Sequence, residues 1–155
     1  MWTPSSKKRK LRAVLDTNIW VSAMIWGGLP AEVISAAENK RICIITSEDI
    51  IEEINQTLAY PRLRRVYEDA GITRQELIEA VLRIGRLVEV KTKVNVVHED
   101  VADNKFLECA FDGKAGFLVS GDEHLLKIEH YKKIRILSVR QFLRILKKTI
   151  TIHLD

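Results

Sequence analysis

Short apolar runs that alternate with helical segments constrain the fold of this chain more than any other feature. The runs are rich in branched side chains and cover Leu11–Leu15, Ile42–Ile45, Gly116–Val119 and Ile134–Leu137. Such runs are typical of buried strands, and the segments between them show helical caps and periodicity. Strands that alternate with helices in this way predict an α/β fold, with a mostly parallel sheet of about five strands flanked by helices.

Cap residues and breakers place the predicted helices along the chain. They cover 18–25, a segment from Pro30, 48–58, a short basic segment from Pro61, 74–87, 103–112, a turn after Asp122, and 139–148. Val88–Val90 and Val94–Val97 resemble strand fragments. Thr149–Leu154 alternates polar and apolar residues, which predicts an edge strand that could pair with another chain.

Composition and length indicate one globular domain. The chain has 155 residues, of which 46% are hydrophobic and 30% charged, which excludes a disordered chain. We expect a basic lead-in over 1–10, the α/β domain over 11–148 and a tail over 149–155. Cys43 and Cys109 stand alone in apolar runs, which predicts buried thiols in a reducing cytosol, and the longest uncharged stretch is too short to span a membrane.

The charges are distributed unevenly along the chain. The net charge is +4, but residues 1–12 and 130–155 are strongly basic, whereas residues 13–129 carry more acids than bases. Basic flanks on an acidic middle are compatible with a polyanionic ligand bound around an acidic centre. A solubilising tail and a solvated C-terminal helix explain the same distribution.

Two acids follow predicted strands directly. Asp16 ends the first strand, and Asp122 lies three residues past Val119. The carboxyl ends of parallel strands meet at one edge of the sheet, where ligands bind in such folds. Either acid alone is typical of a cap or turn, but the two together form a candidate pair.

Helix periodicity adds two further acids. Asp103 falls within the apolar stripe that Phe106 and Leu107 define, although an N-cap role would explain its position too. On the helix predicted over 48–58, Glu52 falls opposite the apolar stripe. Glu53 lies about a right angle from the centre of that stripe and can reach the rim of the sheet.

Four converging carboxylates would need a counter-charge. Two like charges about 4 Å apart repel by about 4 kcal/mol at an effective dielectric constant of 20. Protons or a divalent cation must therefore neutralise some of them, and an all-oxygen ligand set favours Mg²⁺ or Mn²⁺. The chemistry that this implies is metal-assisted hydrolysis of a phosphodiester.

Four motifs contain these acids: 14–23, 47–58, 99–110 and 119–126. In order and spacing they resemble PIN domains, the ribonucleases found as toxins in VapBC-type toxin–antitoxin modules, over nearly all of 11–142. Val101-Ala102 stands where the related subfamily usually has Pro-Asp, which removes a possible fifth carboxylate and leaves the number of metal ions open.

The resemblance implies a catalytic, metal-holding quartet of Asp16, Glu53, Asp103 and Asp122 around one or two Mg²⁺ or Mn²⁺ ions. It also implies cleavage of RNA, a cytoplasmic homodimer or higher homo-oligomer, and inhibition by a small antitoxin protein. Polar residues in two of the motifs would orient carboxylates or waters; these are Asn18 and Ser120.

Alternatives remain open at this point. A catalytically silent RNA- or protein-binding module on the same fold is the main rival to a nuclease, and the presence of all four acids argues against it. Three arginines after Pro61 could contact RNA phosphates or form a solvated helix face; they are Arg62, Arg64 and Arg65. Trp20 and Trp26 are expected in the core.

Overall fold

A mostly parallel sheet forms the centre of the molecule. The computed structural model describes residues 10–97 and 100–154, the last six of these in backbone only. Across this part of the chain the sheet has six strands in the order β3-β2-β1-β4-β6-β5, and only the β5–β6 pair is antiparallel. The strands are β1 Leu11–Leu15, β2 Ile42–Thr46, β3 Gly85–Leu87, β4 Phe117–Val119, β5 His130–Tyr131 and β6 Ile134–Leu137. The predicted α/β fold is confirmed.

Eight helices in the described ranges surround this sheet. They are α1 Thr17–Ile25, α2 Gly28–Glu38, α3 Glu48–Leu58, α4 Pro61–Asp69, α5 Arg74–Ile84, α6 Asn104–Asp112, α7 Glu123–Leu126 and α8 Val139–Leu154. A 3₁₀ turn, Val101–Asp103, leads into α6. Among the described residues no single helix is long and apolar enough to cross a membrane; α1 and α2 meet those criteria only together, as a pair bent by 96°.

Strand register places the ends of three strands at one edge. Leu15 of β1 pairs with Val119 of β4, and the amide of Asp16 donates a hydrogen bond to the Val119 carbonyl at 3.1 Å. The amide of Ser120 donates in turn to the carbonyl of Leu137 at the end of β6, at 3.0 Å. The residues that follow β1, β4 and β6 are therefore neighbours, because the parallel register leaves them no other position.

The predicted helix over 74–87 is too long by three residues. Helix α5 ends at Ile84, and β3 continues from Gly85 as a parallel partner of β2. A Cβ atom on Gly85 would lie 3.0 Å from the Val81 carbonyl oxygen and 3.1 Å from Cγ2 of Thr46. Glycine therefore allows the chain to leave the helix and approach β2 closely.

The strand fragments predicted over 88–97 are not strands. The Val88 amide still donates to the carbonyl of Thr46 on β2 at 3.0 Å, but from Lys91 onward the segment's amides donate to side chains of α6. Thr92 donates to Asp112 at 2.8 Å, Val94 to Glu108 at 3.0 Å, and Val97 to Asn104 at 2.9 Å. These side chains satisfy the segment's hydrogen bonds without a sheet.

The predicted edge strand over Thr149–Leu154 is wrong, because these residues continue α8. No glycine or proline interrupts the chain from 139 to 154, and apolar residues recur four apart at Leu146, Ile150 and Leu154. That spacing favours a helix over the period-two pattern of a strand. Of the predicted lead-in, residues 1–9 lie outside the described part of the chain.

Gly113→Ala should destabilise the fold by about 1–3 kcal/mol through overpacking. A Cβ atom there would lie 2.5 Å from Cγ2 of Ile45 and 2.8 Å from the Cys109 carbonyl oxygen. Gly116→Ala is the matched control, because its Cβ would meet nothing within 4 Å. Equilibrium urea unfolding measures both variants, and equal free energies of unfolding would contradict the packing described here.

Candidate metal centre

Asp16 and Asp122 are linked through one serine. Asp16 is only 4% exposed, and its Oδ1 caps α1 by accepting from the Ile19 amide at 2.9 Å. Its Oδ2 accepts a hydrogen bond from the Ser120 hydroxyl. The same hydroxyl accepts from the Asp122 amide at 3.0 Å, and Asp122 Oδ1 caps α7 by accepting from the His124 amide at 2.8 Å. Both aspartates are thus helix caps as well as members of one polar cluster.

Glu53 is held from both sides by donors on other elements. Its Oε1 accepts from the Thr17 hydroxyl on α1, and its Oε2 accepts from the Lys105 ammonium on α6. The Lys105 and Glu53 side chains are 20% and 30% exposed. Glu52 is exposed, so the two neighbouring glutamates point as helix periodicity predicts.

Asp103 carries an unpaired buried oxygen. It stands at the N-cap position of α6 but makes no side-chain capping hydrogen bond, so capping does not account for its carboxylate. Its Oδ2 is buried without a hydrogen-bond partner among the described residues. Burial raises the pKa of Asp103 to about 7, helped by the charges of Asp100, Asp122 and Glu53.

Pairwise electrostatic effects connect the four predicted acids. Burial raises the pKa of Asp16 as well, against the hydrogen bonds from Ser120 and Ile19, and the charge of Asp122 adds to the rise. Asp103 feels the charges of Asp122 and Glu53. The mutual repulsion of these carboxylates therefore favours a proton or a cation at this edge of the sheet.

Three partners of the acids were not predicted from the sequence. Asp100 caps the 3₁₀ turn by accepting from the Ala102 amide at 3.1 Å, and its charge acts on Asp103. Thr17 and Lys105 hold Glu53. All three residues lie within the four motifs, and this position is the signal by which the sequence could have identified them. Their contacts with the acids, however, join residues up to 52 positions apart in the chain.

The remaining predicted site residues stand apart from these contacts. Asn18 is exposed and makes no side-chain hydrogen bond within the described ranges. The arginines of α4 are exposed as well, and Arg64 pairs with Glu68 on its own helix at 3.0 Å. Among the described residues no contact joins the three arginines to the carboxylates, so their role in RNA binding stays a prediction.

The donor set fits a hard divalent cation. All candidate ligands are carboxylate oxygens, and the unpaired Oδ2 of Asp103 is free to coordinate. Nevertheless, no three His, Cys, Asp or Glu groups in residues 10–97 and 100–154 form a ready-made metal cluster. Both oxygens of Asp16 and of Glu53 already accept hydrogen bonds from the protein, and the Lys105 ammonium partly replaces the missing charge.

Asp103→Asn should stabilise the metal-free protein at pH 8 but not near pH 4. The folded-state pKa of about 7 lies above the ordinary value of 3.8, so folding is penalised progressively as the pH rises through this window. Because the side chain is partly exposed, we expect a gain of only about 1–2 kcal/mol at pH 8. Urea unfolding in EDTA at both pH values measures it, with the exposed Asp69→Asn as control. Destabilisation of equal size at both pH values would contradict this account.

Lys105→Met should destabilise the metal-free protein by about 1–2 kcal/mol, because it leaves a half-buried Glu53 carboxylate among other acids. Mn²⁺ should recover part of this loss. Arg64→Met is the matched control: its ion pair with Glu68 has both side chains more than half exposed and should cost less than about 0.5 kcal/mol. Thermal unfolding with and without Mn²⁺ measures the loss of stability in both variants. Equal losses of stability in the two variants would refute a special role for Lys105.

Two comparisons with known proteins identify the family of this chain. A protein of Methanocaldococcus jannaschii, named Uncharacterized protein MJ1680, is 27% identical over 128 residues, which cover 82% of this chain and 81% of that protein. The family model described as PIN domain matches residues 12–124, which include all four acids. The chain therefore belongs to the PIN domain family.

Proposed function

We propose that this protein is a metal-dependent endoribonuclease that hydrolyses RNA phosphodiester bonds. The observation that carries the proposal is the cluster of Asp16, Glu53, Asp103 and Asp122 at the carboxyl edge of the sheet, with one buried oxygen unpaired. Membership of the PIN family supports it, because PIN domains are typically nucleases and generally use divalent metal ions.

The four acids have different roles in this proposal. Asp16 is a rigid ligand, since the α1 cap and Ser120 fix both of its oxygens. Asp103 offers the unpaired oxygen, and Asp122 stands beside it. Bound Mg²⁺ or Mn²⁺ would supply Lewis acidity for the attack of water on phosphorus and would neutralise the developing charge.

Lys105 supports a centre with one metal ion. Its ammonium neutralises Glu53 without any metal, and Thr17 fixes the other Glu53 oxygen. One divalent cation and one ammonium together nearly balance four carboxylates, whereas a second cation would displace Lys105 from Glu53. We therefore propose one Mg²⁺ or Mn²⁺ per chain, with Lys105 as the additional fixed positive charge.

The biological context is a further part of the proposal. The resemblance of the four motifs to VapBC-type toxins supports a toxin of a type II toxin–antitoxin module, inhibited by a small cognate antitoxin. The same resemblance supports a homodimer or higher homo-oligomer. Free thiols at Cys43 and Cys109 support a cytoplasmic location.

Two observations favour a second candidate function. The described residues hold no ready-made metal cluster, and Lys105 already neutralises one of the acids. A catalytically silent RNA- or protein-binding module on the PIN fold would show the same two features. It predicts RNA or protein binding without cleavage in Mg²⁺ or Mn²⁺.

Purified protein should cleave single-stranded RNA in Mg²⁺ or Mn²⁺ but not in EDTA. Asp16→Asn and Glu53→Gln should each reduce the rate by a factor of at least about 10³, because each removes a negative charge from the carboxylate cluster proposed to hold the metal ion. Both substitutions keep a side-chain oxygen at the capping or hydrogen-bonding position. The assay follows a fluorescently labelled oligonucleotide under single-turnover conditions.

Glu52→Gln provides the matched control for this assay. Glu52 is the exposed neighbour of Glu53 on α3, so its variant should keep the wild-type rate. Full activity in EDTA or in the Asp16 variant would refute the metal-dependent mechanism. Binding of RNA without any cleavage would favour the silent module.

A further inference from the structure

An arginine-lined cavity lies at the edge of the sheet beside β6. It has a volume of about 590 Å³ and extends between α7, the β5–β6 pair and the first turns of α8. Arg135 of β6 and Arg140 and Arg144 of α8 line it, and Glu129 is the one acid among the described residues of its lining. Within the described part of the chain, none of the three arginines forms an ion pair, so the cavity has an excess of positive charge.

The arrangement of these arginines costs stability. Ser138 and Gln141 cap α8 reciprocally, with the Ser138 amide donating to Gln141 Oε1 at 2.9 Å and the Gln141 amide donating to Ser138 Oγ at 3.2 Å. Arg140 therefore stands in the first turn, where the helix dipole favours acids. Arg140 and Arg144 are also four residues apart, a spacing at which like charges on a helix repel. A bound anion would relieve both penalties, and the helix amides would assist it.

The cavity adjoins the carboxylate cluster through two short connections. The Ser120 amide donates to the carbonyl of Leu137, which lines the cavity, while the Ser120 hydroxyl bonds Asp16. The amide of Leu126, another lining residue, donates to the carbonyl of Asp122 at 2.9 Å, one turn along α7. Residues that line the cavity are therefore hydrogen-bonded neighbours of residues in the carboxylate cluster.

We propose that this cavity, which we call the arginine groove, binds the phosphodiester backbone of a single RNA strand next to the bond that is cut. This inference rests on the proposed nuclease function. Guanidinium groups suit phosphates because their donors pair with two oxygens at once. Among the described residues that line the groove there is no Phe, Tyr or Trp, so we expect it to contact the phosphate backbone rather than stacked bases, independently of base sequence.

Binding of a labelled single-stranded RNA to the full chain in EDTA, where cleavage is absent, tests the groove. Arg140→Gln with Arg144→Gln should weaken binding by roughly tenfold or more at 0.1 M salt. The slope of log K against log salt should become shallower by about 1.4, or about 0.7 for each lost phosphate contact on a single strand. Fluorescence anisotropy at five salt concentrations gives both quantities.

Lys40→Gln with Arg41→Gln is the matched control. It removes the same charge from two exposed residues that precede β2, a strand that β1 and β4 separate from β6. Its RNA affinity should stay within twofold of wild type. The slope of log K against log salt should stay within about 0.3 of wild type. A double variant of α8 that behaves like this control overturns the groove. If polyglutamate displaces the RNA as effectively as unlabelled RNA does, the groove is an acidic-protein site and the proposal is overturned as well.

Mn²⁺ titration separates the two proposals. The double variant of α8 should keep wild-type Mn²⁺ affinity, because its arginines do not belong to the carboxylate cluster. Lost RNA affinity with retained Mn²⁺ binding supports the groove. Wild-type protein that binds RNA through the groove but neither binds Mn²⁺ nor cleaves would refute the proposed function and leave the groove standing.

Discussion

Repulsion among carboxylates at one edge of the sheet is the constraint on which the rest of the site depends. The parallel register of β1 and β4 makes Asp16 and the Ser120–Asp122 loop neighbours, and the start of α6 adds Asp103. Such an arrangement is unfavourable for a bare fold, and the protein offsets it with local donors. Ser120, Thr17 and Lys105 each bond one of the acids. We expect an added cation to stabilise the protein most at the oxygen of Asp103 that receives no hydrogen bond.

Two opposite charge clusters flank this edge. On one side, burial and neighbouring acids raise the pKa of Asp103. On the other side, Arg140 lies in the first turn of α8, where the helix dipole favours an acid. Each cluster lowers the stability of the free protein. A polyanion that carries phosphates, together with a divalent cation, satisfies both at once. The uneven charge distribution of the sequence thus becomes a local pattern in which the acidic centre adjoins a basic groove.

Local patterns predicted the features that depend on neighbours in the sequence. Apolar runs located β1, β2, β4 and β6, and helix periodicity separated Glu53 from Glu52. Features that depend on distant residues were missed. Segment 91–97 forms no strand because side chains of α6 accept hydrogen bonds from its amides. Thr17 and Lys105 reach Glu53 across 36 and 52 residues of chain. Likewise, Trp20 on α1 and Trp26 at the C-cap of α1 are both predicted in the core. Trp20 is fully buried as predicted, but Trp26 is 62% exposed, so that prediction is wrong. Only tertiary packing distinguishes them.

The location of a bound metal ion tests the central claim most directly. Crystals soaked in Mn²⁺, with data collected at the manganese absorption edge, show each bound ion as an anomalous peak. The account predicts one peak per chain, at about 2.0–2.3 Å from oxygens of Asp16, Asp103 and Asp122, with Lys105 still on Glu53. No peak in this cluster at saturating Mn²⁺, or an ion bound only elsewhere on the surface, would contradict it.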